Sequence, residues 1–246
     1  MWWLKRYFAD LLGAHIDGLR VARGLPLLFA IMVAWQFGQH VIEVRIGLFD
    51  SVAAARAVSQ DGSRMALGWI KMILVYAGGF FAIRYLMWGS SERTLAVSRR
   101  TILRYLPYVA YSLILFALVF YAGSFIAAEH VMAFRATVGL AQVLVEPLLM
   151  LWIVSAATDG PVAGPVQSAR LTGRYYFWAL ALFFVARLPT NAAHQLLNRY
   201  AIGQPPALVW AMLAVDAVVV GLLVAIVPAI YVRVTRLVAE KRGTAA

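Results

Sequence analysis

The sequence predicts an all-α, polytopic membrane helix bundle: six transmembrane helices arranged as three hairpins, with both termini inside. Three observations predict it. Residues of the AVILMFWYC class make up 63% of the 246 residues and charged residues only 13%, against about half and a quarter in soluble domains. Six separate stretches each reach the roughly 20 apolar helical residues needed to cross a hydrocarbon core about 30 Å thick. The lysines and arginines between those stretches fall mostly on one side.

The same composition, with a mean hydropathy of +0.78, excludes disorder, a collagen-like chain and a disulfide scaffold. There is no cysteine, so disulfides, cysteine-ligated metals and a thiol nucleophile are excluded too. Period-two alternation is absent, which removes a β-barrel from consideration. The chain reads as one integral membrane domain over 1–246.

Taken in order, residues 1–24 read as an interfacial amphipathic helix. Leu4, Phe8, Leu11, Leu12, Ile16 and Leu19 recur at helical spacing, Lys5, Arg6, Asp10 and Asp17 take other faces, and Trp2 and Trp3 stand at its start. The first span is 25–44. It is longer than the apolar region of a cleaved signal, about 7–15 residues, so it is read as retained. Residues 45–64 carry Ile46, Phe49 and Ala53 among charges and predict an outer-face amphipathic helix. The second span is 65–88, where Gly78 and Gly79 would permit close helix approach. The remaining spans are 105–127, 137–157, 176–197 and 207–232. The fifth is interrupted in its outer half by Arg187, Pro189 and Asn191.

With the N-terminus inside, fifteen basic residues fall on the inner side, among them Lys5, Arg6, Arg84, Arg99, Arg100, Arg104, Arg170 and Arg174. Five (Arg45, Arg56, Arg64, Arg135, Arg199) fall outside, and Lys71 and Arg187 lie within the membrane. The positive-inside rule therefore puts both termini in the cytoplasm. Aromatic residues agree: Trp88, Tyr105, Tyr175, Trp178 and Tyr231 gather at the inner interface, and Trp69, Tyr121, Tyr200 and Trp210 at the outer one. The net charge of +11 then belongs to topology and to anionic lipid headgroups on the cytoplasmic face, with Lys5, Arg6, Arg99, Arg100, Arg104, Arg170 and Arg174 as contacts. No soluble nucleic-acid module is present to use the charge on nucleic acid.

Ser98-Arg-Arg-Thr-Ile-Leu-Arg-Tyr105 and Ser168-Ala-Arg-Leu-Thr-Gly-Arg-Tyr175 share a serine, two arginines and a tyrosine in register. Each precedes an odd-numbered span, and Leu19-Arg-Val-Ala-Arg23 is a looser third copy. The implied unit is a basic cytoplasmic segment followed by a transmembrane hairpin, used three times. The stretch from Ser168 through Leu171-Thr172-Gly173 into the aromatic run Tyr175-Tyr-Phe-Trp178 resembles a broad class of bacterial six-helix integral membrane proteins, mostly of unassigned function. That class includes the membrane domain accompanying some glycerophosphodiester phosphodiesterases. The resemblance implies a fold and a bacterial inner membrane. The chain carries no soluble phosphodiesterase domain, so the resemblance implies no such chemistry.

Ionisable groups inside a bilayer are costly, and each is a functional candidate by default. Glu146 lies near the middle of span four beside Pro147, which would loosen the helix there. Asp216 lies deep in span six, Lys71 and Arg187 in the outer parts of spans two and five, and Glu43 at the outer end of span one below Gln36, Gln39 and His40. One reading makes these substrate-binding residues of a polar cavity open to the outer side: Glu146 and Asp216 as proton or cation sites, Lys71 and Arg187 as anion contacts, with His40 and Glu43 nearby. The weightier reading has Glu43, Lys71, Glu146, Arg187 and Asp216 pair internally and fix helix register. His40 and Glu43, one turn apart, could join a di-metal site only with matching ligands from other helices, so a hydrogen-bonded polar patch is preferred. Glu129, His130, Asn191, His194, Gln195 and Asn198 read as wetted surface. No hydrolase, zincin or P-loop pattern appears, and no cofactor or metal is expected.

The expectation is thus a non-catalytic integral inner-membrane protein, an accessory, assembly or scaffold component of a membrane complex with a membrane-protein partner. The alternative is a small carrier or lipid-handling protein using Glu146 and Asp216 with Lys71 and Arg187. An enzyme acting on lipid headgroups at the outer face, through His40, Glu43, His194 and the cations, ranks third.

Overall fold

The computed structural model describes residues 2–243. Met1 and residues 244–246, the ends expected in the cytoplasm, lie outside the described residues, as does the side chain of Trp2. No strand occurs among the described residues, and ten α-helices follow one another: α1 (Trp2–Gly24), α2 (Pro26–Arg45), α3 (Val52–Ala57), α4 (Gly62–Trp88), α5 (Ser91–Leu95), α6 (Arg99–Phe120), α7 (Val131–Thr158), α8 (Pro165–Thr172), α9 (Tyr176–Ala201) and α10 (Pro206–Arg242). Five of them, α2, α4, α6, α7 and α10, are long and apolar enough to cross a membrane. That is the build of a multi-pass membrane protein. The sixth expected span, α9, has 26 residues, about 39 Å at 1.5 Å per residue. It falls short in apolar character because Arg187 stands near its middle and Asn191, His194, Gln195, Asn198 and Arg199 crowd its second half.

Local chemistry moves several boundaries. The third span does not run to residue 127: α6 ends at Phe120, and Ala122–Ser124 form a single 3-10 turn through Gly123. It also starts earlier, at Arg99, because the Ser98 hydroxyl accepts the backbone N–H of Thr101 and caps it. The expected outer helix over 45–64 shrinks to the six residues of α3, because Gly47 at φ +79° turns the chain first. Phe49 does not face lipid there; it is buried against Ala201, Val209 and Leu213. At the other end α10 continues ten residues past the expected stop, since Val234, Leu237 and Val238 are still buried.

The long α10 is the axis of the molecule, packing against α1, α2, α4, α7 and α9. Ile83, Met150, Ile153, Leu182 and Ile230 are fully buried around it. Close approach of α2 depends on Gly221: a Cβ there would fall 2.9 Å from Val33 and 3.0 Å from Phe29. Gly78 and Gly79, the expected contact glycines, are less constrained, with nearest neighbours at 3.3 and 3.7 Å.

In α1 the acidic residues, which the sequence places on faces away from the apolar stripe, turn into the bundle. That stripe is exposed, with Phe8 and Leu12 62% and 63% accessible, while Asp10 and Asp17 are buried against the bundle. Arg233 of α10 meets both carboxylates, at 3.5 and 2.6 Å. Arg84, counted by sequence among the topology-setting cations, is 2% exposed. Its guanidinium donates to the carbonyls of Arg93, Thr94, Ala96 and Ala157 and lies over the Trp88 ring. It thereby ties α5 and the end of α7 to α4.

The two similar basic segments take different structures. Ser98 caps α6, whereas Ser168 sits inside α8, fully buried, and accepts the backbone N–H of Trp152. The sequence likeness therefore marks no common structural position.

Candidate functional site

In α2, Gln36, Gln39, His40 and Glu43 are three and four residues apart, so they share one face, and all four are buried. This face meets Asp216, carried by α10 across the approach that Gly221 allows. His40 Nδ1 lies 2.8 Å from Glu43 Oε2, and His40 Nε2 lies 2.8 Å from Asp216 Oδ2. On its other oxygen Asp216 meets His194 Nδ1 at 2.7 Å. Asn198, one turn further along α9, lies 3.2 Å from that same nitrogen. At the far end Glu43 Oε1 accepts from Gln39 Nε2 at 3.0 Å and from Arg64 Nε at 3.2 Å. A neutral imidazole carries one N–H, so a ring between two ionised carboxylates makes both bonds only with an added proton. The line Glu43–His40–Asp216–His194 is thus a set of contacts across which a proton can be shared, with Gln36 Nε2 lying 3.0 Å from His40 Nε2 beside it.

A second group surrounds a cavity of about 280 Å³ among α4, α6, α7, α9 and α10, lined by Lys71, Gln142, Glu146, Arg187 and His194 together with Tyr76, Tyr105, Tyr108 and Tyr231. The Tyr108 hydroxyl, at 3.0 Å, and the Tyr231 hydroxyl both donate to Glu146 Oε1. Glu146 Oε2 has no hydrogen-bond partner among the described residues. Arg187 lies over the Phe183 ring, 4.5 Å from its centroid, and its Nε is buried without a partner. Neither Lys71 nor Arg187 has a carboxylate within 4 Å among the described residues. Pro147 does not break α7, which runs from Val131 to Thr158. A proline removes one amide donor and its ring crowds the preceding turn; beside this gap the Tyr176 hydroxyl donates to the carbonyl of Leu144.

The six residues singled out from sequence thus separate into two sets. His40, Glu43 and Asp216 join one hydrogen-bonded line; Lys71, Glu146 and Arg187 border one cavity. His194 belongs to both, and it was read from sequence as wetted surface. Instead His194 bonds the buried Asp216, and Asn198, read the same way, bonds His194. Residues 187, 191, 194 and 198 are spaced four, three and four apart, one polar stripe on α9, and this spacing was the available signal. The histidines and carboxylates are strung in a line; among the described residues no group of three or more converges as metal ligands would.

Of the seven expected headgroup contacts, Lys5, Arg99, Arg100, Arg170 and Arg174 are exposed. The other two are engaged internally. Arg6 pairs with Asp10 and Glu240, and Arg104 donates to the carbonyl of Gly160 and pairs with Asp159. Arg6 pays for its partial burial, which works to lower its pKa, but the Glu240 hydrogen bond and the two carboxylate charges hold it above its ordinary value.

Comparison with family models, with curated proteins and with solved structures finds no match to this chain. The function therefore rests on the chemistry of the two sets.

Proposed function

We propose that this chain is a multi-pass protein of a bacterial inner membrane, six spans in three hairpins with both termini cytoplasmic, that holds an anionic group in the cavity beside Lys71 and Arg187. It acts there as a small carrier or lipid-handling protein. The observation that carries the reading is that neither cation has a carboxylate within 4 Å among the described residues. A cation within a bilayer costs about 2.5–3.5 kcal/mol even on lenient scales, and internal pairing would have offset it. Glu43 and Asp216 have such partners, whereas Lys71 and Arg187 face open space instead. An anionic solute or a lipid headgroup supplies the missing countercharge, and the tyrosines and valines of the lining suit its apolar remainder. The fifteen-to-five division of basic residues and the resemblance to bacterial six-helix proteins support the orientation and the membrane assigned.

The test is thermal unfolding of the purified protein with inorganic phosphate, acetate or dioleoylphosphatidylglycerol added. A ligand that binds only the folded state raises the midpoint, by up to about 2.7 kcal/mol of stabilisation at a hundred times its dissociation constant. The wild type responds to at least one of these anions, and the Lys71→Met/Arg187→Met double variant does not. A wild type indifferent to all three, extracted with a stoichiometric protein partner, would instead place the chain as an accessory component of a membrane complex.

A further inference from the structure

We infer that Glu43, His40, Asp216 and His194 form a proton path that joins the rim of the bundle beside α3 to the cavity. Three properties carry this. The line is continuous, with successive contacts of 2.8, 2.8 and 2.7 Å through α2, α10 and α9. Its ends differ: His194, 27% exposed by side chain, lines the cavity, whereas Glu43 is 6% exposed and lies one contact below the surface, behind Arg64, which is 30% exposed. Each member is a group that both gains and loses a proton, carboxyl and imidazole in alternation, where amides alone would serve to join helices.

The transfer balances at every step. With His40 and His194 each neutral and carrying their proton on Nε2, a proton arriving on Glu43 passes to His40 Nδ1, and the resulting imidazolium releases its Nε2 proton to Asp216 Oδ2. Rotation of the Asp216 carboxyl brings that proton to His194 Nδ1, and the cation so formed releases the proton on its other ring nitrogen into the cavity. Each ring is left with its proton on Nδ1, and exchange of that proton with a flanking carboxylate as the ring turns returns it to Nε2. Gln36 and Gln39 flank the line with amide oxygens that are buried and without partners, so acceptors for a displaced N–H are at hand.

The charged and titratable groups facing the path are Arg64 and Lys71 from α4, Arg187 from α9 and Glu146 from α7, beside the members themselves. With the cavity empty, Lys71 and Arg187 oppose a further positive charge at His194. An anion between them removes that opposition, so a proton and an anion enter together. This coupling rests on the anion-binding reading of the cavity; the path itself does not.

The experiment uses the full-length protein in vesicles containing a trapped pH dye, with potassium and valinomycin holding the voltage at zero. An imposed pH step is followed with gluconate alone and with inorganic phosphate. Wild-type vesicles equilibrate several-fold faster than protein-free ones, and phosphate accelerates them further. His40→Gln and Asp216→Asn, checked for monodispersity and helical content, fall to the protein-free rate. Glu43→Gln, the variant that keeps most of the local shape, does the same. Wild-type rates in folded His40→Gln and Glu43→Gln, or a wild type no faster than bare lipid, overturn the path. Proton movement without any response to phosphate, together with no anion effect on thermal unfolding, overturns the cavity reading and leaves the path standing.

Discussion

The guanidinium of Arg233 lies over the backbone of Gly13, so close that a Cβ built at position 13 would fall 2.2 Å from the Arg233 Cζ. Asp10 and Asp17, seven residues apart and therefore on one face of α1, flank it. The absence of a side chain at Gly13 is what lets α1 bring two carboxylates to one arginine of α10. Gly13→Leu is expected to lift α1 from the bundle, seen as rapid proteolysis between α1 and α2 in a protein that otherwise stays folded. Arg233→Met leaves Asp10 to Arg6 and Asp17 to Arg20 and costs roughly 1.5–3 kcal/mol, the worth of a hydrogen bond to a charged group. Unchanged protease resistance in both variants would refute this attachment.

Arg84 satisfies four backbone carbonyls at 2.7–3.1 Å. Arg84→Met strands them in an apolar setting, where each unsatisfied buried group costs about 1–3 kcal/mol. The expected loss is about 3 kcal/mol or more, read as a lowered thermal midpoint in detergent. Arg84→Lys recovers only part of it, because an ammonium lacks the planar fork that reaches several carbonyls at once.

The two sets of buried charges should respond oppositely to neutralisation. Lys71→Met and Arg187→Met each remove a cation that has no carboxylate within ion-pair distance among the described residues, so stability is expected to hold or to rise by about 1 kcal/mol. Glu43→Gln removes the acceptor shared by His40, Gln39 and Arg64 and lowers stability. Parallel unfolding curves of the three variants check this. Equal destabilisation by all three would mean that the cavity cations are structural.

Asp61 caps α4 by accepting the backbone N–H groups of Ser63 and Arg64 as well as the Ser63 hydroxyl. The Ser63 hydroxyl first, and then the Arg64 N–H, hold its carboxyl below the ordinary value. A depressed folded value means the cap stabilises α4 above the unfolded pKa, about 3.9, and is lost as pH falls through the lower folded value. Asp61→Ala therefore unfolds at a lower temperature than wild type at neutral pH, and the two midpoints converge in acid. A gap that stays constant through the acid range would contradict the capping role.

Much of the helix pattern was legible because lipid imposes a length and a polarity on any crossing segment. The runs behind α2, α4, α7 and α10 needed no neighbour to be recognised, and Lys71, Glu146 and Asp216 stood out as charges in apolar surroundings. The end of α6 was less legible: Phe125, Ile126 and Ala127 continue the apolar run, but the turn at Ala122–Ser124 decides the boundary. His194 and Asn198 were misread because a polar residue near the end of a weak span looks the same in sequence whether it faces water or a buried carboxylate.

The sequence by itself determined that this chain is helical, that most of its helices suit a membrane, and which charges would be costly there. Those properties depend on composition and on a 3.6-residue period within single segments. Only the tertiary structure decided which charges meet. Asp216 pairs with His40, 176 residues away, because α2 crosses α10 at Gly221, and Arg233 reaches Asp10 across 223 residues because α1 offers no side chain at Gly13. Partnership is set by the crossing of helices, and at Gly13 and Gly221 the close approach depends on a missing side chain.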